Sequence, residues 1–263
     1  NKNVKLIDDL NPEAVDREIG RGSSSPTNLA VFNNKLYFWT KFGDYQNNNL
    51  WLYDFKTKQS SAVESLPSSQ KGSHIVTYNN QLYFQGTELV PWRWGDDSGY
   101  DSGNEELYTL STDNDVPSQV IDINQGNNMS YPESFTEYRE QLYFTANDGI
   151  TGGELWAYNS SDDAPYLVSD IEEGIDPQSF RPYGSYPQTL RVFDDKLFFF
   201  ADTIETGKQL WNFDAETRLT TQISNSEFED NCSNCSEMTA YLDGLYFTTM
   251  RAESGGSVQS IYK

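Results

Sequence analysis

Histidine is almost absent from this sequence: His74 stands alone. A histidine-based triad or zinc centre therefore has no companions to assemble from. Cysteine is limited to Cys232 and Cys235, in the run Asn-Cys-Ser-Asn-Cys-Ser. Two thiolates fall short of a structural zinc site. A redox Cys-x-x-Cys opens a helix in a βαβ setting, whereas this pair lies in a Ser/Asn-rich stretch. A local Cys232–Cys235 disulfide clip, formed in an oxidising compartment, fits instead. Basic residues are few as well, 18 against 40 acidic ones, for a net charge of −22. That balance opposes nucleic acid and anionic membrane and favours cations and basic or neutral partners. No apolar run approaches the roughly 18 residues of a membrane span, so no membrane insertion is expected. Nucleophile elbow, P-loop and dinucleotide fingerprint are all missing. The chain opens at Asn1 without an initiator Met or a signal segment, which reads as a processed product or one domain of a larger surface protein.

What the chain does have is aromatic residues, 17 Tyr, 15 Phe and 6 Trp, which suit pleated, half-buried surfaces. They fall into a beat. Leu36-Tyr37-Phe38, Leu82-Tyr83-Phe84, Leu142-Tyr143-Phe144, Leu197-Phe198-Phe199 and Leu245-Tyr246-Phe247 are spaced by 46, 60, 55 and 48 residues. A period near fifty with several short strands per unit is the signature of a β-propeller. The third unit shows the strands most clearly, as 134–138, 141–145, 154–158 and 166–171, with turn residues between them. These form an antiparallel four-stranded blade. The last unit offers strands at 238–242, 245–247 and 258–262, and the pattern Val4-Lys5-Leu6-Ile7-Asp8 at the other terminus resembles the missing fourth.

The expected architecture is thus all-β: a single five-bladed β-propeller over 1–263, with four-stranded antiparallel blades at about 23–70, 71–130, 131–178, 186–230 and 236–263. The N-terminal strand, residues 1–12, completes the last blade and removes an open seam. Recurrence of Leu-aromatic-Phe and Leu-Trp at strand centres marks packing between blades rather than a sugar-stacking stripe.

The third unit reads Leu-Tyr-Phe-Thr-Ala-Asn-Asp-Gly-Ile-Thr-Gly-Gly-Glu-Leu-Trp from 142, then Leu-Val-Ser-Asp-Ile-Glu-Glu-Gly from 167. This resembles the repeat of bacterial secreted proteins with the consensus ELWxxDGT. The match is close at 142–156 and 167–174 and partial elsewhere, and Asn159-Ser160-Ser161 stands where the family has its Asp-Gly-Thr turn. The resemblance implies a large secreted or surface protein. It supplies no catalytic residues.

A site is expected on the face shared by the second-to-third strand loops and the connections between blades, where propeller loops converge. Leu36 to Leu50, Leu142 to Leu155 and Leu197 to Leu210 are 13 or 14 residues apart, but Leu82 to Leu107 is 25. The insertion carries Trp92, Arg93, Trp94, Asp96, Asp97, Tyr100 and Asp101. Flat aromatics stack on sugar faces or clamp peptide side chains, and carboxylates take hydroxyls, ammonium groups or a metal. With Arg181 and Tyr183 of the connection after the third blade, these are the candidate ligand-binding residues. Asp96, Asp97 and Asp101 are the candidate metal ligands, for Ca²⁺, although EF-hand spacing is absent; no other cofactor is expected.

The expected function is a non-catalytic, extracellular recognition or adhesion module, monomeric as a domain, that binds a glycan or a protein segment. A carbohydrate-active enzyme with carboxylates in the central funnel is the alternative. A purely structural module is the third reading.

Overall fold

Two-residue turns with both backbone angles in the left-handed region pin the strands of this protein in place. Asn33-Asn34, Asn79-Asn80, Arg139-Glu140 and Asp194-Asp195 all have φ between 42° and 59°, the geometry whose twist matches that of the flanking strands. Asn and Asp tolerate it; the Arg-Glu pair has outside support. Arg139 forms a two-pronged ion pair with Asp195, its Nε 3.0 Å from Oδ1, and lies over the Tyr138 ring.

The computed structural model describes residues 5–8, 10, 25–40, 49–63, 74–87, 104–112, 116–126, 128–162, 164–224, 235–253 and 256–263. They fall into two compact units, Asn1–Asp122 and Ile123–Lys263.

The first unit holds two sheets. One is β1 (Thr27–Phe32), β2 (Lys35–Thr40), β3 (Asn49–Asp54) and β4 (Gln59–Ala62); the other is β5 (Ile75–Tyr78), β6 (Gln81–Thr87), β7 (Glu105–Leu110) and β8 (Ser118–Ile121). The second unit holds β9 (Glu133–Tyr138), β10 (Gln141–Asn147), β11 (Gly153–Tyr158) and β12 (Tyr166–Ser169), then β13 (Gln188–Phe193), β14 (Lys196–Thr203), β15 (Gly207–Asp214) and β16 (Leu219–Gln222). Its last sheet is β17 (Met238–Tyr241), β18 (Gly244–Glu253) and β19 (Gly256–Tyr262). Every sheet pairs its strands antiparallel in sequence order. Such meanders are the content of propeller blades. First strands of consecutive sheets lie against one another within each unit, β1 on β5, β9 on β13 and β13 on β17. Thr77 Oγ1 donates to the Val31 carbonyl, Thr136 Oγ1 to Leu190 and Thr189 Oγ1 to Ser236.

The Leu-aromatic-Phe positions form the core between sheets. Trp39 meets Phe84 edge-on at 5.9 Å, Tyr143 meets Phe213 at 5.6 Å, and Phe200 meets Phe247 at 5.7 Å. Leu82, Tyr83, Phe84, Leu142, Tyr143 and Phe144 are all buried. In β10 residues 142–146 are buried without alternation, because a neighbouring element covers each face of the sheet.

The outer strands are set by the turns before them: β4 covers 59–62 and β16 covers 219–222. Asp54 Oδ1 accepts the Lys56 and Thr57 amides, and Asp214 Oδ1 accepts those of Glu216 and Thr217. These tight turns start pairing at once. Among the described residues, 5–8 form no strand and the last sheet has three strands. Leu6 and Ile7 are exposed, and Asp8 Oδ2 instead accepts the Ser60 amide at 3.1 Å.

Candidate functional site

In the second unit the β10–β11 loop, the β14–β15 turn and the β12–β13 connection share one edge, and close backbone approach fixes their arrangement. Gly152 has φ 79°, and a Cβ there would stand 1.7 Å from the Tyr183 carbonyl oxygen. A Cβ on Gly184 would meet the Gly153 nitrogen at 2.5 Å, and one on Gly153 would strike the Tyr186 ring at 2.5 Å. Only glycine lets these two backbones touch. Tyr186 N donates to Gly153 O at 2.8 Å, and Thr145 Oγ1 donates to Pro187 O.

Glu154, fully buried in β11, is the hub. Its carboxylate accepts Ile171 N at 3.0 Å, Glu172 N at 3.4 Å, Ser185 N at 2.8 Å and Ser185 Oγ at 2.6 Å. Burial pushes its carboxyl up to about 7, against these hydrogen bonds, which favour the charged form. Sequence reasoning missed this residue. The available signal was the polar side chain before each Leu-aromatic pair of the third strands: Asn49, Glu106, Glu154 and Gln209. Gln209 plays a related part, its Oε1 accepting Ser224 Oγ at 2.6 Å while that oxygen accepts Leu210 N.

From this frame a small hairpin projects. Ile175 pairs with Pro182, Asp176 N donates to Arg181 O and Tyr183 N to Gly174 O. The Asp176 carboxylate caps its tip by accepting Gln178 N and Ser179 Oγ, which lowers its pKa. Phe180 and Arg181 are exposed there. Of the expected ligand residues, Arg181 is therefore accessible. Tyr183 is half-buried and belongs to the frame, its carbonyl against Gly152 and its ring beside Gly174. Asp148 Oδ1 accepts Ile150 N, Thr151 N and Thr151 Oγ1, a plain turn.

Trp92, Arg93, Trp94, Asp96, Asp97, Tyr100 and Asp101 lie outside the described residues, as does Cys232. Cys235 is buried and disulfide-bonded. Among the described residues no three Asp, Glu, His or Cys side chains are grouped to hold a metal ion, and no helix is long and apolar enough to cross a membrane.

The opposite edge of the same unit carries a groove of about 550 Å³, lined by Arg139, Gln141, Tyr143, Asp162, Tyr166 and Arg218 among others. Several of its polar groups are already occupied: Tyr166 Oη donates to Gln141 Oε1 at 2.6 Å, and Arg139 holds Asp195.

No family model matches this chain, and no curated protein matches it. Among solved structures it is similar to one from a study of two prolyl endopeptidases, with a TM-score of 0.62 and 11% identity over 91% of this chain and 34% of that one. It is also similar to TolB from Acinetobacter baumannii, with a TM-score of 0.47 and 11% identity over 90% of this chain and 51% of that one. The β-propeller domain of the Trilobed protease from Pyrococcus furiosus gives a TM-score of 0.48 and 8% identity over 90% and 63%. The fold is all-β, built of antiparallel sheets of consecutive strands. This chain spans about a third to under two thirds of each of those proteins, so the likeness concerns a part of each.

Proposed function

We propose that this chain is a non-catalytic recognition module that binds a glycan or a protein segment, extracellular and part of a larger surface protein. The observation that carries the proposal is the second unit's loop edge. It is a frame locked by backbone contacts, whose buried carboxylate is fully engaged by amides and a hydroxyl, and from which side chains project into solvent. A glycosidase needs two carboxylates facing each other across a sugar; Glu154 instead serves the frame. Acidity and the disulfide-bonded Cys235 support an oxidising, extracellular setting.

In this reading the insertion at 90–103 supplies further contacts. Trp92→Ala combined with Trp94→Ala is expected to abolish binding on a glycan and peptide array while leaving the thermal transition in place. Undiminished binding by that double variant removes the insertion from the binding surface.

The finer architecture belongs to the same proposal: five blades closed into a ring, with the N-terminal segment against β19. Two features support it, the outer edge of β19 and the exposed Leu6 and Ile7. Deleting residues 1–11 is expected to lower the melting temperature by several degrees, roughly the effect of 1–2 kcal/mol in a domain of this size. An unchanged transition rules out the closing role of that segment.

A further inference from the structure

We propose that the loop edge of the second unit docks a basic protein segment carrying apolar side chains, a refinement that rests on the recognition reading above. Four large apolar residues stand at the tips of neighbouring loops there: Ile150 is 79% exposed, Ile175 62%, Phe180 81% and Ile204 67%. Single exposed hydrophobics are ordinary, but several on adjoining rigid tips mark an interaction surface.

Hydrogen bonds tie the tips together. Ile204 N donates to Glu172 Oε2 at 3.1 Å, Glu172 N in turn donates to Glu154, and Glu154 also holds Ser185 at the end of the connection that carries Ile175 and Phe180. The Ile150 amide is fixed by Asp148. A surface ordered before its partner arrives loses little entropy on binding.

Charge selects the occupant. Asp148, Asp170, Glu172, Glu173, Asp176 and Glu205 lie in the loops that carry the tips, against two basic residues, Arg181 and, beside the β14–β15 turn, Lys208, whose Nζ donates to Gln188 Oε1 at 3.2 Å. Asp170 shows the crowding: burial first, and then repulsion from Glu173, Asp148 and Glu172, raise its carboxyl. Its Oδ1 is buried without a hydrogen-bond partner. Lysine or arginine side chains on a partner relieve that repulsion while their apolar neighbours cover the tips. An anionic membrane and a second copy of this acidic face are both repelled. A neutral sugar gains little from tips of which three are aliphatic, since sugar faces stack on aromatic rings.

The test uses the full chain and three synthetic dodecapeptides, alternating Lys-Leu, Lys-Ser and Glu-Leu, with binding followed by calorimetry at two salt concentrations. The Lys-Leu peptide is expected to bind, more weakly at high salt, and the other two to bind at least about tenfold more weakly. Phe180→Ser with Ile204→Ser, which keeps every charge and removes only exposed side chains, is expected to lose about tenfold or more for Lys-Leu with an unshifted melting temperature. Equal binding of Lys-Leu and Lys-Ser, equal binding by the double variant, or no Lys-Leu binding overturns the proposal. If array ligands are lost with Trp92→Ala plus Trp94→Ala but kept by the Phe180→Ser, Ile204→Ser variant, the recognition reading stands and this docking surface falls.

Discussion

Gly152→Ala is expected to destabilise the second unit by about 4 kcal/mol, the largest effect of any single added methyl group considered for this fold. Two costs add. The residue sits at φ 79°, where a Cβ crowds its own carbonyl, and that Cβ would stand 1.7 Å from the Tyr183 carbonyl oxygen. The obstacle is backbone, so no rotamer change relieves it; the connection must move off β11 and take Ser185 away from Glu154. Gly126 separates the two costs. Its φ is 87°, yet nothing lies within 4 Å of its Cβ position, so Gly126→Ala should cost only the conformational part, about 1–2 kcal/mol. Guanidinium unfolding of both variants measures the difference. Equal midpoints would mean that the close approach of Gly152 to Tyr183 is not maintained in solution.

Glu154 should make this unit less stable as pH rises from about 4.5 to about 7. An unfolded glutamate titrates near 4.5, and burial holds Glu154 up to about 7 in the fold. Between those values the folded state binds the extra proton, so it is favoured at the lower pH, and the advantage is lost as pH passes the folded value. Fully expressed, the swing approaches about 3 kcal/mol. Other carboxylates tilt the opposite way: Asp54, Asp176, Asp195 and Asp214 are held below their ordinary range, so their contributions fade in acid. The useful quantity is therefore a difference. Glu154→Gln imitates the protonated side chain, and its stability relative to the parent should rise steadily from pH 4.5 to 7.5. A flat difference across that range shows that the carboxylate stays charged in the fold, held so by its four donors.

Much of this architecture is legible in the chain because strand periodicity and turn chemistry are local. Leu142-Tyr143-Phe144 lies at the centre of β10, and Asn33-Asn34 and Asp194-Asp195 make the tight turns their residue types suit. Boundaries of the outer strands were harder to read, since exposed strands such as β4 and β16 carry weak apolar patterns and are set by Asp54 and Asp214 in the preceding turns. The loop edge was legible only in part. Arg181 is accessible, whereas Tyr183 is half-buried in the frame, a position that depends on Gly152 thirty-one residues earlier.

By itself, the sequence determined the fold type, the strand count in the clearest units and the excess of negative charge, because each follows from short-range pattern or plain composition. The tertiary structure alone decided which acids are solvent-facing and which one is a hub. Glu154 and Glu172 are both carboxylates, and although Glu154 stands before a Leu-Trp pair, that position does not say which groups its carboxylate meets. Burial among backbone amides that arrive from residues 171, 172 and 185 makes one a lock. The other, on the same edge, joins the acids in the loops that carry four exposed apolar tips, which share a surface only because the chain folds back on itself.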